Sequence, residues 1–380
     1  MSGGNGRHAA RRAALAARLG SEATDGRVDA LLVTDLVNVR YLTGFTGSNG
    51  AVLVWARGTD RETAEERADL VATDGRYLAQ IAEQVPDLTA EISRDTASAL
   101  LAAAARGRAR LRIGVEGDAM SIALFGELTD QVREIGADLI ALRGAVEALR
   151  TVKDADEVEL ITSACRIGDR ALGELIARGA IAAGRTEREV ARDLEWQMYA
   201  DGADAIAFET IVATGANSAI PHHRPTDAVL AVGDLVKIDF GAVSSGYHSD
   251  MTRTFVLGEP QEWQREIHRL VQAAQKAGRE ALVPGTELAE VDAAARRVIA
   301  DAGYGEYYVH GLGHGVGLQI HEGPGIGAAA SGTLPVGATV TVEPGIYLPG
   351  RGGVRIEDTL VVTDDGPRLL TTTPRALRAL

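Results

Sequence analysis

The sequence predicts an α/β (α+β) protein of two domains, and three observations carry that reading. At 380 residues the chain exceeds the roughly 250–300 at which a single hydrophobic core stops growing. From Val28 to about Leu142 short apolar runs alternate with helical stretches, the pattern of an α/β unit. Near Leu149–Lys153 the alternation gives way to one long helical stretch and then to a strand-rich remainder. The expected domains are therefore 1–148 and 149–380.

In the first domain, Ala9–Leu19 reads as a helix leading into a strand at Asp29–Thr34. Further strands are expected at Ala51–Trp55, Leu70–Thr73, Leu88–Ile92 and Leu111–Val115, with helices at Tyr77–Gln84 and Ala97–Arg106. Gly58–Ala68 is charged and lacks apolar periodicity, which predicts an exposed loop. The second domain opens with a helix from Asp154 to about Arg178, where Val158, Ile161, Cys165, Leu172 and Leu175 recur at helical spacing. Thr186 and Glu189 form a capping box for a helix to about Ala200. Strands follow at Phe208–Ala213 and Leu235–Phe240, helices at Glu259–Leu282 and Glu287–Ala302, and alternating strands at Thr339–Glu343 and Val354–Val362.

Composition narrows the function. Hydrophobic residues at 46% and charged residues at 24%, with mean hydropathy near zero, describe a soluble globular chain. A net charge of −14 argues against nucleic acid or an anionic membrane as partner, and no apolar run reaches the roughly 18 residues of a membrane span. The single cysteine, Cys165, excludes an intramolecular disulfide and fits a reducing, cytoplasmic setting. The Arg- and Ala-rich N-terminus faintly resembles a transit peptide, but the nearby strand favours a helix of the folded domain.

Two acidic pairs stand where a sheet tolerates them poorly. In VKIDFGAVSSGYHSDMTRTF, a two-residue turn at Ser244-Ser245 would set Asp239 directly opposite Asp250. Like charges so opposed, about 5 Å apart, destabilise a hairpin unless a cation joins them. A bulge, or one Asp solvated at a strand end, is the alternative. In TVEPGIYLPGRGGVRIEDTLVV, a turn at Pro349-Gly350-Arg351 would likewise oppose Glu343 and Glu357. Two such pairs in one domain favour a metal site. The histidine segment HGLGHGVGLQIHE spaces His310 and His314 like a helical zinc motif, but Gly311 stands where that motif needs Glu, and alternate glycines break a helix. These glycines suit a backbone that passes close to a ligand. Two Asp, two Glu and one neutral His carry about −4, which two divalent cations neutralise, whereas one would leave like charges buried at a cost of several kcal/mol. The carboxylate-rich set suits Mn²⁺, Co²⁺ or Fe²⁺, with Zn²⁺ also admissible.

In order and context, Asp239, Asp250, His314, Glu343 and Glu357 resemble the five metal ligands of the metal-dependent Xaa-Pro peptidases, aminopeptidase P and prolidase, of the pita-bread family. The resemblance spans nearly the whole chain through NVRYLTGFTGSNG, TDGRY, LRTVKDADE, KIDFG, HSDMTRTF, HGLGHGVGLQIHE, EPGIY and RIED. It implies a creatinase/prolidase-like N-terminal domain before a pita-bread catalytic domain, two divalent metal ions (Mn²⁺ foremost), small peptides with proline at the second position as substrates, and a homodimer. It also implies that His222 and His321 line the site and stabilise the tetrahedral intermediate, and that His310 lies near the bound proline. Arg355, on the same sheet face as Glu357, would orient that carboxylate; His223 takes no firm role. The expected chemistry is attack by a water activated between the ions, with Glu343 shuttling the proton to the leaving nitrogen. Aminopeptidase P is the reading adopted. Prolidase is the alternative, and a metal-free pita-bread binding protein or creatinase-like hydrolase is the distant one.

Overall fold

The computed structural model describes residues 3–20, 28–57, 68–106 and 110–380. They form two compact units, 1–150 and 151–380. In the first, strands 89–92, 70–73, 50–55, 30–33, 112–116 and 138–142 lie in that order in one mixed sheet. Its centre is apolar on both faces: Leu31, Leu32, Val52 and Leu53 are fully buried. Such two-sided burial explains why these strands read as continuous apolar runs. The N-terminal helix is longer than the periodicity indicates, Gly3–Gly20. Helices Leu36–Thr43 and Ile122–Glu134 and the strand Asp138–Leu142 add to the expected elements. Positions 58–67 of the expected loop lie outside the described residues.

The second unit opens on the helix Ala155–Ala177, whose N-cap Asp154 and N3 residue Glu157 form a reciprocal capping box. Thr186 and Glu189 do the same for Glu187–Ala200. The apolar stripes of both helices pack on strands Ile211–Thr214, Leu235–Phe240 and Met251–Val256. The helices Glu262–Glu280 and Leu288–Asp301 cover a second core with a five-stranded sheet that includes Thr339–Val342 and Asp358–Thr363. The strand expected at Phe208 begins only at Ile211, because Ala205–Ile206 pairs separately with Ala242–Val243. The run Val354–Val362 is two strands: Gly352–Arg355 pairs with Gly345–Leu348, and Asp358–Thr363 with Thr339–Val342. Among the described residues no helix is long and apolar enough to cross a membrane.

His268, on the helix Glu262–Glu280, is 3% exposed, and burial together with the Arg253 charge lowers its pKa from 6.5 to about 4. A depressed folded-state pKa stabilises fully above the unfolded value of 6.5. That stability is lost as pH falls through the folded value, up to on the order of 3 kcal/mol. The thermal midpoint is therefore expected to fall on acidification from pH 6.5 to 4, and to fall less in His268→Gln. Equal acid slopes in the two proteins would exclude this histidine as a source.

Candidate active site

The first hairpin differs from its expected register. Its two-residue turn is Ser245-Gly246, one position later than expected, since Ser244 pairs with Tyr247. Both turn residues have positive φ, 48° and 79°, the requirement of a type I′ turn and the reason glycine occupies the second place. A one-residue shift of the turn moves the pairing by two, so Asp239 faces Thr252 rather than Asp250. Because side chains alternate with period two, such a shift keeps them on the same face. Asp250 thus stays diagonal to Asp239, and the acidic pair survives the change of partner. The strand is buried along both faces, so Lys237 and Asp239 enter a polar interior rather than solvent.

The second hairpin keeps its expected register. Leu348 pairs with Gly352 across Pro349-Gly350-Arg351, and Gly345 pairs with Arg355. On the far side Val342 pairs with Asp358, which brings Glu343 and Glu357 to facing positions between the two ladders. Pro344 interrupts the pairing because it has no N–H to donate. The amide of Glu343 instead donates to the Leu312 carbonyl (2.8 Å), and that of Glu357 to the Thr252 carbonyl (3.1 Å). This break turns both glutamates out of the ladder and joins the second hairpin to the first.

His314 lies on the short strand Gly313–Gly315. Its Nδ1 meets the Gly315 carbonyl at 3.1 Å, so that nitrogen carries the proton and Nε2 is left with a lone pair. Nε2 lies 3.5 Å from Asp250 Oδ2 and 3.4 Å from Glu343 Oε1. Gly311 and Gly313 border the cleft, where the expected approach to a ligand would occur, and close backbone packing is a second reason for glycine here. A Cβ on Gly313 would meet the Thr341 carbonyl oxygen at 2.1 Å, and one on Gly315 the Gly323 carbonyl oxygen at 2.1 Å.

All nine predicted site residues border one cleft of about 490 Å³. Asp239, Asp250 and Glu357 are buried. Burial first, and neighbouring carboxylates second, drive the pKa of Asp250 and of Glu357 well above the usual range. Burial lifts Glu343 to about 7 against the opposing Arg355 charge, and lowers His314 to about 4. Arg355 is the fixed cation in this group. Its Nη2 pairs with Asp239 Oδ2, Nε donates to Thr252 Oγ1 (3.0 Å), and Nη1 donates to Tyr347 Oη (2.9 Å). Its expected partner Glu357 is reached only through Thr252, whose hydroxyl donates to Glu357 Oε2 at 2.6 Å. One guanidinium cannot neutralise four carboxylates. Asp239 Oδ1 and Glu357 Oε1 are buried without a hydrogen-bond partner, a costly state unless a cation takes their lone pairs. Ligand atoms of Asp250, His314 and Glu357 lie within 4.8 Å of one another. This donor set fits divalent metal.

The histidines divide by environment. His310 Nε2 meets Tyr347 Oη at 2.8 Å, and burial lowers its pKa to about 4. His321 stacks edge-on against His314 with centroids 4.4 Å apart. His222 is exposed to the cleft, whereas His223 turns inward to Glu187 Oε2 at 2.8 Å. Sequence reasoning missed Tyr347, Thr252 and Thr341. Thr252 is the true register partner of Asp239, and Thr341 Oγ1 donates to Glu343 Oε1 (3.2 Å) while accepting from the His314 amide (3.0 Å). Strand alternation was the available signal for both threonines, since each lies two residues from an acidic site residue on the same face.

Comparison with known proteins bears on the same segments. The family model described as Metallopeptidase family M24 matches residues 159–364, and that described as Creatinase/Prolidase N-terminal domain matches 11–152. A Xaa-Pro dipeptidase of Pyrococcus furiosus is 47% identical over 232 residues, 61% of this chain and 66% of that protein. The structure of a Xaa-Pro dipeptidase from Bacillus anthracis aligns with a TM-score of 0.88 at 34% identity, covering 98% of this chain and 100% of that one. An X-Pro aminopeptidase from Thermotoga maritima aligns with a TM-score of 0.82 at 35% identity, covering 93% and 96%.

Proposed function

The chain belongs to metallopeptidase family M24 and is a metal-dependent exopeptidase with a Creatinase/Prolidase N-terminal domain ahead of a pita-bread domain; we propose that its substrates are peptides with proline at the second position. Catalysis resides in residues 149–380. The names of the similar Xaa-Pro peptidases support the substrate; the observation that carries the metal site is the pair of partnerless buried oxygens, Asp239 Oδ1 and Glu357 Oε1, on the cleft that also holds Asp250, His314 and Glu343. These five side chains would hold two divalent cations. Four carboxylates with a single imidazole support Mn²⁺ first, then Co²⁺, Fe²⁺ or Zn²⁺. Such cations, when bound, supply Lewis acidity and a nucleophile at neutral pH.

The chain's own groups do the rest. Glu343, on the cleft beside His314, takes up a proton and returns it to the prolyl nitrogen as the bond breaks. His222 and His321 reach the cleft, where they donate to the oxyanion of the tetrahedral intermediate. His310, oriented by Tyr347, borders the proline ring. That ring brings no N–H, so its pocket needs no acceptor. Arg355 fixes Asp239 directly and Glu357 through Thr252. The lone buried Cys165 supports a cytoplasmic setting; a homodimer rests on the family resemblance.

Our first reading of chain length is an Xaa-Pro aminopeptidase. The second, an Xaa-Pro dipeptidase, is favoured by the names of the Pyrococcus furiosus and Bacillus anthracis proteins. Purified protein loaded with Mn²⁺ and offered Gly-Pro and Gly-Pro-Pro separates them. Release of glycine from the tripeptide is the aminopeptidase result; cleavage of Gly-Pro alone is the dipeptidase result. Failure on both substrates would overturn the Xaa-Pro assignment.

A further inference from the structure

Glu187 lies outside the five proposed ligands and borders no part of the cleft, yet it is fully buried. It opens the helix Glu187–Ala200 immediately after the N-cap Thr186, where the helix dipole favours a negative charge. Its two oxygens collect five donors, all from residues 214–226. Oε1 accepts from the Thr214 amide (2.9 Å) and Asn217 Nδ2 (2.9 Å). Oε2 accepts from His223 Nε2 (2.8 Å), the Thr226 amide (2.9 Å) and Thr226 Oγ1 (2.7 Å). Burial alone would raise the pKa of this carboxyl; the bonds from His223, Asn217, Thr214 and Thr226 outweigh it and hold the group below its usual value. One carboxylate thus ties both ends of a single loop.

At the middle of that loop stands His222. The carbonyls just before it are gripped from the opposite side. Lys237 Nζ donates to Ile220 O (2.6 Å) and Pro221 O (3.2 Å), and Arg355 Nη1 donates to Pro221 O (3.1 Å). The loop is therefore held by a carboxylate on one side and by the donors of Lys237 and Arg355 on the other, and the exposed His222 ring between them inherits its position. The geometry assigns Glu187 as the positioning residue for His222, acting through the His223 and Thr226 anchors. This rests on the Xaa-Pro reading for its kinetic test and on the loop geometry alone for its spectroscopic one.

Glutamine at 187 would aim an N–H₂ at groups that are themselves donors, so at least one anchor fails. Misplacement of a catalytic group by about 1 Å costs on the order of 10²-fold in rate. On whichever of Gly-Pro and Gly-Pro-Pro the wild type cleaves, Glu187→Gln is expected to lower kcat about 10²-fold with little change in KM and in bound Mn²⁺. The double variant Glu187→Gln/His222→Ala is expected to lose no more than His222→Ala alone, because the two residues act as one unit. Multiplying losses, or a wild-type kcat in Glu187→Gln, would overturn the assignment. If Glu187→Gln fails to fold, Thr226→Val, which removes one hydroxyl donor, is expected to give a smaller loss with the same lack of additivity. Histidine ring NMR provides a readout that needs no turnover: the His222 resonance, assigned with His222→Ala, is expected to move in Glu187→Gln or Thr226→Val. An unmoved resonance refutes the clamp, whereas a wild-type enzyme inactive on both peptides refutes the Xaa-Pro reading and leaves the clamp to be judged by that resonance.

Discussion

Replacing Glu343 with Gln is expected to lower kcat, on whichever of Gly-Pro and Gly-Pro-Pro the wild type cleaves, by about 10²–10⁴-fold, the range contributed by a positioned acid–base group. Glutamine keeps the shape and one acceptor oxygen but cannot take up the proton that the prolyl nitrogen must receive. Glu343 is suited to this task by its setting: Thr341 Oγ1 anchors Oε1, and His314 Nε2 stands 3.4 Å away. Because the same side chain is a proposed ligand, metal content is to be measured alongside rate. A variant that retains its metal and loses turnover supports the proton role. Full activity in Glu343→Gln would remove Glu343 from the mechanism.

Chelation is expected to abolish turnover and to lower the thermal midpoint, with both restored by Mn²⁺. The stability change follows from the same charges as the activity. Asp250 and Glu357 are buried and Glu343 is half-buried beside them, with Arg355 the only fixed cation among the site residues. Cation binding to the folded state alone stabilises it by about 4 kcal/mol at a concentration 1,000 times Kd. Differential scanning calorimetry of stripped and Mn²⁺-loaded protein measures the shift, and Co²⁺, Fe²⁺ and Zn²⁺ rank against it by the rate each restores. Unchanged activity and an unchanged midpoint after verified metal removal would exclude the dinuclear proposal.

Most of the elements were legible because their signals are local. The helix Ala155–Ala177 carries its capping box and its apolar stripe in its own residues, and Thr186 with Glu189 announces the next helix. The second hairpin could be registered from its turn, and Leu348 does pair with Gly352. The first could not, because Ser-Ser and Ser-Gly compete for adjacent positions and only the positive φ at Ser245 and Gly246 decides between them. The alternating glycines were legible only in part, for a related reason. A missing side chain signals a close approach without saying whether a ligand or another strand is approaching, and here the strand carbonyls of Thr341 and Gly323 take the space.

The sequence by itself determined the residue types, their order and the two hairpins that present the acidic pairs, since turn chemistry and period-two alternation act over a few residues. Only the tertiary structure decided which atoms meet. Arg355 reaches Asp239 across 116 positions, Thr252 reaches Glu357 across 105, and Glu187 gathers donors up to 39 residues away. Such partners are chosen by the packing of separate sheets and helices around a shared core, a condition that no local pattern along the chain records.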